Sequence, residues 1–155
     1  AEVVVSDVRI SVLLDEITDS LKPAAASGQV FIHCDCQPLC IKANPQQMKE
    51  LLSNLVSNAV KYNRPGGQIW VNIREKDEDL VIRVRDNGVG IPQESLDRIF
   101  ERFYRVDKGR SRKLGGTGLG LAIVKNSVII HGGTISAKNN QGGGLEFVFT
   151  LAKEK

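Results

Sequence analysis

No stretch of this 155-residue chain approaches the roughly 20 consecutive apolar residues that a helix needs to cross a bilayer. No secretory leader opens it either, and both absences describe this segment alone, not a parent protein. Net charge is only +3, too little on its own to argue for a polyanionic partner. Basic residues do gather from Arg102 to Lys113, but only Phe103 and Tyr104 stand among them, both at one end. Single-stranded nucleic acid is held by aromatics interleaved with cations, so no nucleic-acid partner is expected. Cysteine is limited to Cys34, Cys36 and Cys40, an odd number with no disulfide framework, which suits a reducing compartment. Their CxC-x3-C spacing lacks the distant second pair of a zinc site, and free cysteines mostly act as small hydrophobes. Internal repeats and low-complexity tracts are absent as well.

What is present reads as one globular domain, 41% hydrophobic and 25% charged. Val8 to Ala26 has the stripe of an amphipathic helix that Ser27-Gly28 would end. Phe31 to Cys36 and Leu39 to Lys42 read as short strands around Gln37-Pro38. Asn44-Pro45 opens a strong helix, because Asn caps and Pro fits the first turn. Its apolar positions Met48, Leu51, Leu52, Leu55, Val56, Ala59 and Val60 recur at i, i+3, i+4, i+7. Arg64-Pro65-Gly66-Gly67 breaks it. Gln68 to Arg74 and Asp79 to Asp86 alternate and form a hairpin. Thr117 to Ile130 is a second strong helix, and Gly133 to Lys138 and Leu145 to Leu151 are the final strands. Helices and hairpins with few βαβ crossovers predict an α+β fold, with helices on one face of a mixed, mostly antiparallel sheet.

Four blocks carry chemistry. In the Asn44 helix, Asn54, Asn58 and Lys61 fall at i, i+4, i+7 and share one stripe. Asparagine costs helix propensity, so two on one stripe ask for a reason. A carboxamide oxygen is a hard ligand suited to Mg²⁺, and Lys61 would bring a point charge to the same phosphates. A solvated helix face accounts for this segment equally well. In Asp86-Asn87-Gly88-Val89-Gly90, Asp86 shares the parity of Leu80, Ile82 and Val84, so its carboxylate points to the core side and needs a donor. An adenine amine is one, and Gly88 and Gly90 would let the backbone approach a flat ring. The same residues also spell an ordinary turn. Gly116-Thr117-Gly118-Leu119-Gly120 stands before a helix, where backbone N–H groups favour an anion; a flexible hinge is the alternative. Between the last two blocks, Phe100-Glu101-Arg102-Phe103-Tyr104-Arg105 leads into the basic stretch from Tyr104 to Gly116, which suits a lid over phosphates with Arg105 as its working charge.

Taken together, NxxxNAxKY, DNGxGI, FxxFYR and GTGLGL closely resemble the N, G1, F and G2 boxes of the catalytic ATP-binding domain of bacterial two-component sensor histidine kinases. The wider family also holds DNA gyrase B, mismatch-repair and heat-shock chaperone ATPases, and the resemblance covers residues 8 to 152. It implies a two-layer α/β sandwich, the Bergerat ATP-binding fold, holding ATP and Mg²⁺ between the Asn44 helix and the lid. It implies that Asp86 reads the adenine amine, that Asn58 ligates Mg²⁺ with Asn54 assisting, and that Lys61, Tyr62 and Arg105 approach the phosphates or ribose. The backbone from Gly116 through Thr117, Gly118 and Leu119 to Gly120 would cradle the phosphate chain. Residues 1–7 would be the end of a linker from a dimerisation domain, and 8–155 the catalytic domain.

Related hydrolases place a glutamate where this chain has Asn54. An amide cannot take a proton from water at neutral pH, which suits transfer of the γ-phosphoryl group to another nucleophile. Neither His33 nor His131 is followed by the acidic residue of a family acceptor histidine. The implied acceptor is therefore a histidine on a separate dimerisation and phosphotransfer domain of the same kinase, with a response regulator downstream. The isolated domain would be a monomer, cytoplasmic, with an inner-membrane parent. An ATP hydrolase of the wider family and a non-catalytic nucleotide-binding module are the alternatives. Asn63, Leu145 and Asn44 depart from the residues usual in the family; Leu145 replaces a threonine whose hydroxyl would lie near the adenine.

Overall fold

Helical period and strand parity set the architecture of the computed structural model, which describes residues 5–61, 63–88, 90, 93–96, 98–101, 120–140 and 143–152. α1 (Ile10–Gly28) buries Ile10, Leu14, Ile17 and Ala25. It runs through Gly28 and ends on Gln29, whose left-handed backbone (φ 55°) lets its N–H bond back to the carbonyls of Ala25 and Ala26. α2 (Pro45–Lys61) buries the whole stripe from Met48 to Val60 that its spacing predicts. Each large apolar side chain so removed from water contributes about 1.5–3 kcal/mol. Asn44 caps it by accepting the Gln47 N–H at 2.9 Å, so its departure from the family's usual residue leaves the cap intact.

One expectation at the start of the chain is corrected. Val8 and Arg9 do not open the helix, and Ser6 and Asp7 are not linker: the four form a strand, β1 (Ser6–Arg9), paired antiparallel with β3 (Cys40–Ala43) in a two-stranded sheet. Val8 is buried there and not on a helix. β2 (Phe31–Cys36) joins a different sheet from β3. It pairs in parallel with β4 (Gln68–Lys76), which forms the expected hairpin with β5 (Asp79–Asp86). β6 (Thr134–Asn139) and β7 (Leu145–Ala152) complete a five-stranded sheet of order β2-β4-β5-β7-β6, antiparallel except at β2–β4.

Alternate residues of the sheet form one core with the helices: Ile69, Val71 and Ile73 from β4, Leu80, Ile82 and Val84 from β5, Phe147, Phe149 and Leu151 from β7. α3 (Gly120–Ile130) packs on α2 through Val124 and Val128. Just past α3, the buried His131 donates from Nδ1 to the Ser127 carbonyl at 2.8 Å. Its Nε2 accepts the Asn44 N–H at 3.4 Å, which ties the end of α3 to the start of α2. Among the described residues the helices thus occupy one side of a mostly antiparallel sheet, as expected.

Candidate nucleotide site

β5 delivers Asp86 to the core side of the sheet, half-buried, as its parity with Leu80, Ile82 and Val84 requires. Its Oδ1 accepts two backbone N–H groups, from Gly88 at 2.9 Å and from Leu145 at 3.2 Å. Burial raises its carboxyl above the usual carboxylate value, and the two N–H bonds offset part of that rise. Among the described residues nothing donates to Oδ2. A carboxylate with one oxygen satisfied by its own loop and the other open is an acceptor free to take a donor from outside the protein.

The loop after Asp86 lies directly on the turn between β6 and β7. Gly144 has φ +95°, and a Cβ there would stand 1.9 Å from the Asp86 carbonyl, so only glycine fits. A Cβ on Gly90 would meet Asn139 Oδ1 at 2.7 Å and the Gly144 carbonyl at 3.3 Å. Asn140 Nδ2 donates to the Asp86 carbonyl at 3.3 Å, and the Asn140 N–H closes the turn on Gly144 at 2.9 Å.

The end of α2 is stitched to the same corner through Gln68. Asn63 Nδ2 donates to the Gln68 carbonyl at 3.2 Å, the Gln68 N–H to Asn87 Oδ1 at 2.7 Å, and the Asn87 N–H back to Gln68 at 3.3 Å. The last turns of α2 carry Asn54 and Asn58, half-buried beside the apolar stripe, and the exposed Lys61. Among the described residues neither carboxamide has a side-chain hydrogen bond to a protein group; at Asn54 only the backbone carbonyl is engaged, by Ser57 Oγ at 3.3 Å. Two amide oxygens one turn apart, with a cation beyond them, form a donor set that suits a hydrated hard cation and its phosphates.

The fold therefore brings Asp86, Gly88 and Gly90 to the β6–β7 turn and sets Asn54, Asn58 and Lys61 on the helix joined to that corner. Gly120 is the first residue of α3. Tyr62, Arg105, Gly116, Thr117, Gly118, Leu119 and the lid from Tyr104 to Gly116 lie outside the described residues. The Leu145 N–H, Asn140 and the Asn63–Gln68–Asn87 bridge escape sequence reasoning. The only signals were the paired glycines at Gly142 and Gly144 and the uncommon Asn63. Leu145 contributes through its backbone, so the missing threonine hydroxyl leaves this hydrogen bond in place.

The three cysteines are free and take no part in the site. Cys34 is pushed up to about 11, chiefly by desolvation, with Asp15 and Cys36 adding to the rise. That rise favours the neutral thiol over the thiolate. No grouping of His, Cys, Asp or Glu among the described residues would hold a metal ion.

A one-faced α/β sandwich with an inward aspartate, a glycine-lined turn and an asparagine-bearing helix at one corner defines an ATP-binding domain of the Bergerat class. The chain belongs to the histidine kinase-, DNA gyrase B- and HSP90-like ATPase family, whose model matches residues 43–155. It is 46% identical to the sensor histidine kinase WalK of Bacillus subtilis over 73% of this chain and 19% of that protein. It is 36% identical to the sensor protein kinase WalK of Staphylococcus haemolyticus over 95% of this chain and 24% of that protein. The chain thus spans a quarter or less of the length of these relatives. Among solved structures, it superposes on the mycobacterial sensor histidine kinase MprB with a TM-score of 0.85 at 25% identity, over 97% of this chain and 99% of that one. Full-length ShkA in complex with AMPPNP gives 0.84 at 29% identity, over 99% of this chain and 32% of that one. The nucleotide-free catalytic domain of histidine kinase ThkA, 24% identical, shares the fold at a TM-score of 0.86, over 97% of each chain.

Proposed function

We propose that this domain binds ATP with Mg²⁺ and transfers the γ-phosphoryl group to a histidine on the dimerisation and phosphotransfer domain of the same kinase. The observation that carries the reading is Asp86, whose Oδ1 is held by Gly88 and Leu145 while Oδ2 is left to accept the adenine amine. Asn58, with Asn54 beside it, would hold Mg²⁺, which supplies charge neutralisation on the phosphates. Lys61 adds a further positive charge, and Tyr62 and Arg105 approach the phosphates or ribose. As the resemblance implies, the Gly116, Thr117, Gly118, Leu119 and Gly120 backbone would cradle the phosphate chain, with Tyr104 to Gly116 as its lid. In the transfer the bond between the γ-phosphorus and the β,γ-bridging oxygen breaks, a P–N bond to the imidazole forms, and ADP leaves. Asn54 stands where a hydrolase needs a base, so transfer prevails over hydrolysis.

Residues 1–7 lead in from the dimerisation domain, with Ser6 and Asp7 already paired in β1, and 8–155 form the catalytic unit. The phosphohistidine passes its group to a response regulator. The domain works in the cytoplasm on a membrane-anchored parent; among the described residues no helix is long and apolar enough to cross a membrane. Calorimetric titration with ATP, with and without Mg²⁺ and against GTP, tests the pocket. Adenine-selective binding followed by phosphorylation of a dimerisation domain supplied in trans is the expected outcome. ATP binding with phosphate release to water and no transfer would replace the kinase reading by a hydrolase.

A further inference from the structure

The face of the five-stranded sheet turned away from the helices carries a feature that nucleotide binding does not use. One cross-strand row reads His33, Trp70, Arg85, Glu146 and Lys138, each residue the register partner of the next. Trp70 is the chain's single tryptophan. The His33 ring stacks on it from the β2 side, with centroids 5.9 Å apart and planes at 24°. The Arg85 guanidinium lies 4.5 Å from its centroid from the β5 side. An open cleft of about 370 Å³ runs over these side chains, lined from β2 to β7 and including Asp35, Asn72 and Arg83.

The charges of this face are unevenly matched. Asp35 is taken by Arg74. Glu146 has Lys138 at 3.3 Å, with Arg83 farther off at 3.9 Å. Among the described residues Arg85 has no carboxylate partner, only the indole. Cationic charge is therefore in excess at Arg83 and Arg85, beside the one large aromatic of the face. Such a surface complements carboxylates. A single exposed ion pair is worth only about 0–1 kcal/mol, so one small carboxylate would not be retained. A segment carrying several along its length would engage both arginines and cover the Trp70 edge. The cleft's extension across strands β2, β4, β5 and β7 fits an extended chain.

We propose that this outer face is a docking surface for an acidic, extended segment of a partner protein, with Arg83 and Arg85 as its charge anchors and Trp70 as its apolar one. Because Trp70 is the only tryptophan, intrinsic emission reports on this face independently of the nucleotide corner. The test titrates the full chain at low salt with a short peptide of alternating Glu and Ser, read by Trp70 emission and by anisotropy of the labelled peptide. The expected result is saturable binding that is lost in about 0.5 M salt. Arg83→Gln with Arg85→Gln should weaken it about tenfold or more, with ATP affinity and thermal stability of the variant unchanged. A matched Lys–Ser peptide should not bind. Absence of saturable binding by both readouts, or binding that survives the double substitution, overturns the proposal. Equal binding of citrate would reassign the surface to small anions and overturn it too.

Discussion

The two halves of the nucleotide corner are built differently. Around Asp86 the protein supplies its own partners: two N–H groups on Oδ1, the Asn140 amide on its carbonyl, and Gly144 pressed against its backbone. Along α2, Asn54 and Asn58 lie half-buried with carboxamides that no described residue engages. The first half is held by the protein's own hydrogen bonds, whereas in the second no described residue fixes the two carboxamides. On the proposed function, base recognition would belong to the fold, while phosphate and metal binding would belong to the complex. A pre-ordered acceptor loses little entropy on binding and so contributes selectivity, whereas side chains ordered by the ligand contribute less net affinity than their contacts suggest.

The largest effect should come from Asp86→Asn. The amide oxygen still accepts the Gly88 and Leu145 N–H groups, but an NH₂ now faces the incoming amine, so ATP affinity should fall about 100-fold, roughly 3 kcal/mol. Calorimetry showing unchanged affinity would remove Asp86 from the pocket. Next, Gly144→Ala forces a methyl onto the Asp86 carbonyl at a positive φ. Its cost should be about 2–3 kcal/mol of stability, together with weakened ATP binding, seen in denaturant unfolding of the apo domain. A folded Gly144→Ala domain with full affinity would mean that the turn does not organise Asp86.

Asn58→Ala sharpens the contrast from the other side. It should leave apo stability within about 0.5 kcal/mol, because no protein hydrogen bond is lost, while abolishing the Mg²⁺ dependence of nucleotide binding. Asn54→Ala should show the same pattern more weakly.

The smallest effect is one of pH. Burial raises the Asp86 carboxyl above its unfolded value, so the folded state binds the extra proton. Its ionisation therefore costs stability as pH rises from the unfolded value through the folded one, and that cost vanishes at lower pH. Asp86→Asn, which cannot ionise, should thus match or slightly exceed wild type in thermal stability at neutral pH. The gap should close on acidification, and a variant less stable at neutral pH would contradict it. The ATP-affinity advantage of wild type runs the opposite way, lost as pH falls through the same raised value.

Much of this corner was legible because it depends on local period. The stripe of α2, the Asn44 cap, the β4–β5 hairpin and the inward parity of Asp86 all follow from residues within a turn or two of one another. What escaped depends on distant backbone meeting backbone. The helix expected from Val8 starts only at Ile10, because Val8 and Arg9 belong to a strand whose pairing with Cys40–Ala43 is invisible to local spacing. The Leu145 N–H reaches Asp86 only through the register of β5 with β7, and sequence spacing carries no record of a main-chain donor. The Asn63–Gln68–Asn87 bridge likewise joins three loops that no single window contains. The missing hydroxyl at Leu145 drew attention to a side chain where the working group is an amide.

The hairpin register has a consequence for the sign of the pocket's charge. Arg85 and Asp86 are consecutive, and the pleat sends one to each side of the sheet. The partner positions from Lys76↔Asp79 to Ile69↔Asp86 fix which side each takes. A slip of one residue would carry the Asp86 carboxylate to the outer face and put the Arg85 guanidinium in its place on the core side. The short turn at Asp77, with its left-handed φ of 56°, thus acts as a polarity key: it sets which sign of charge this corner of the domain presents.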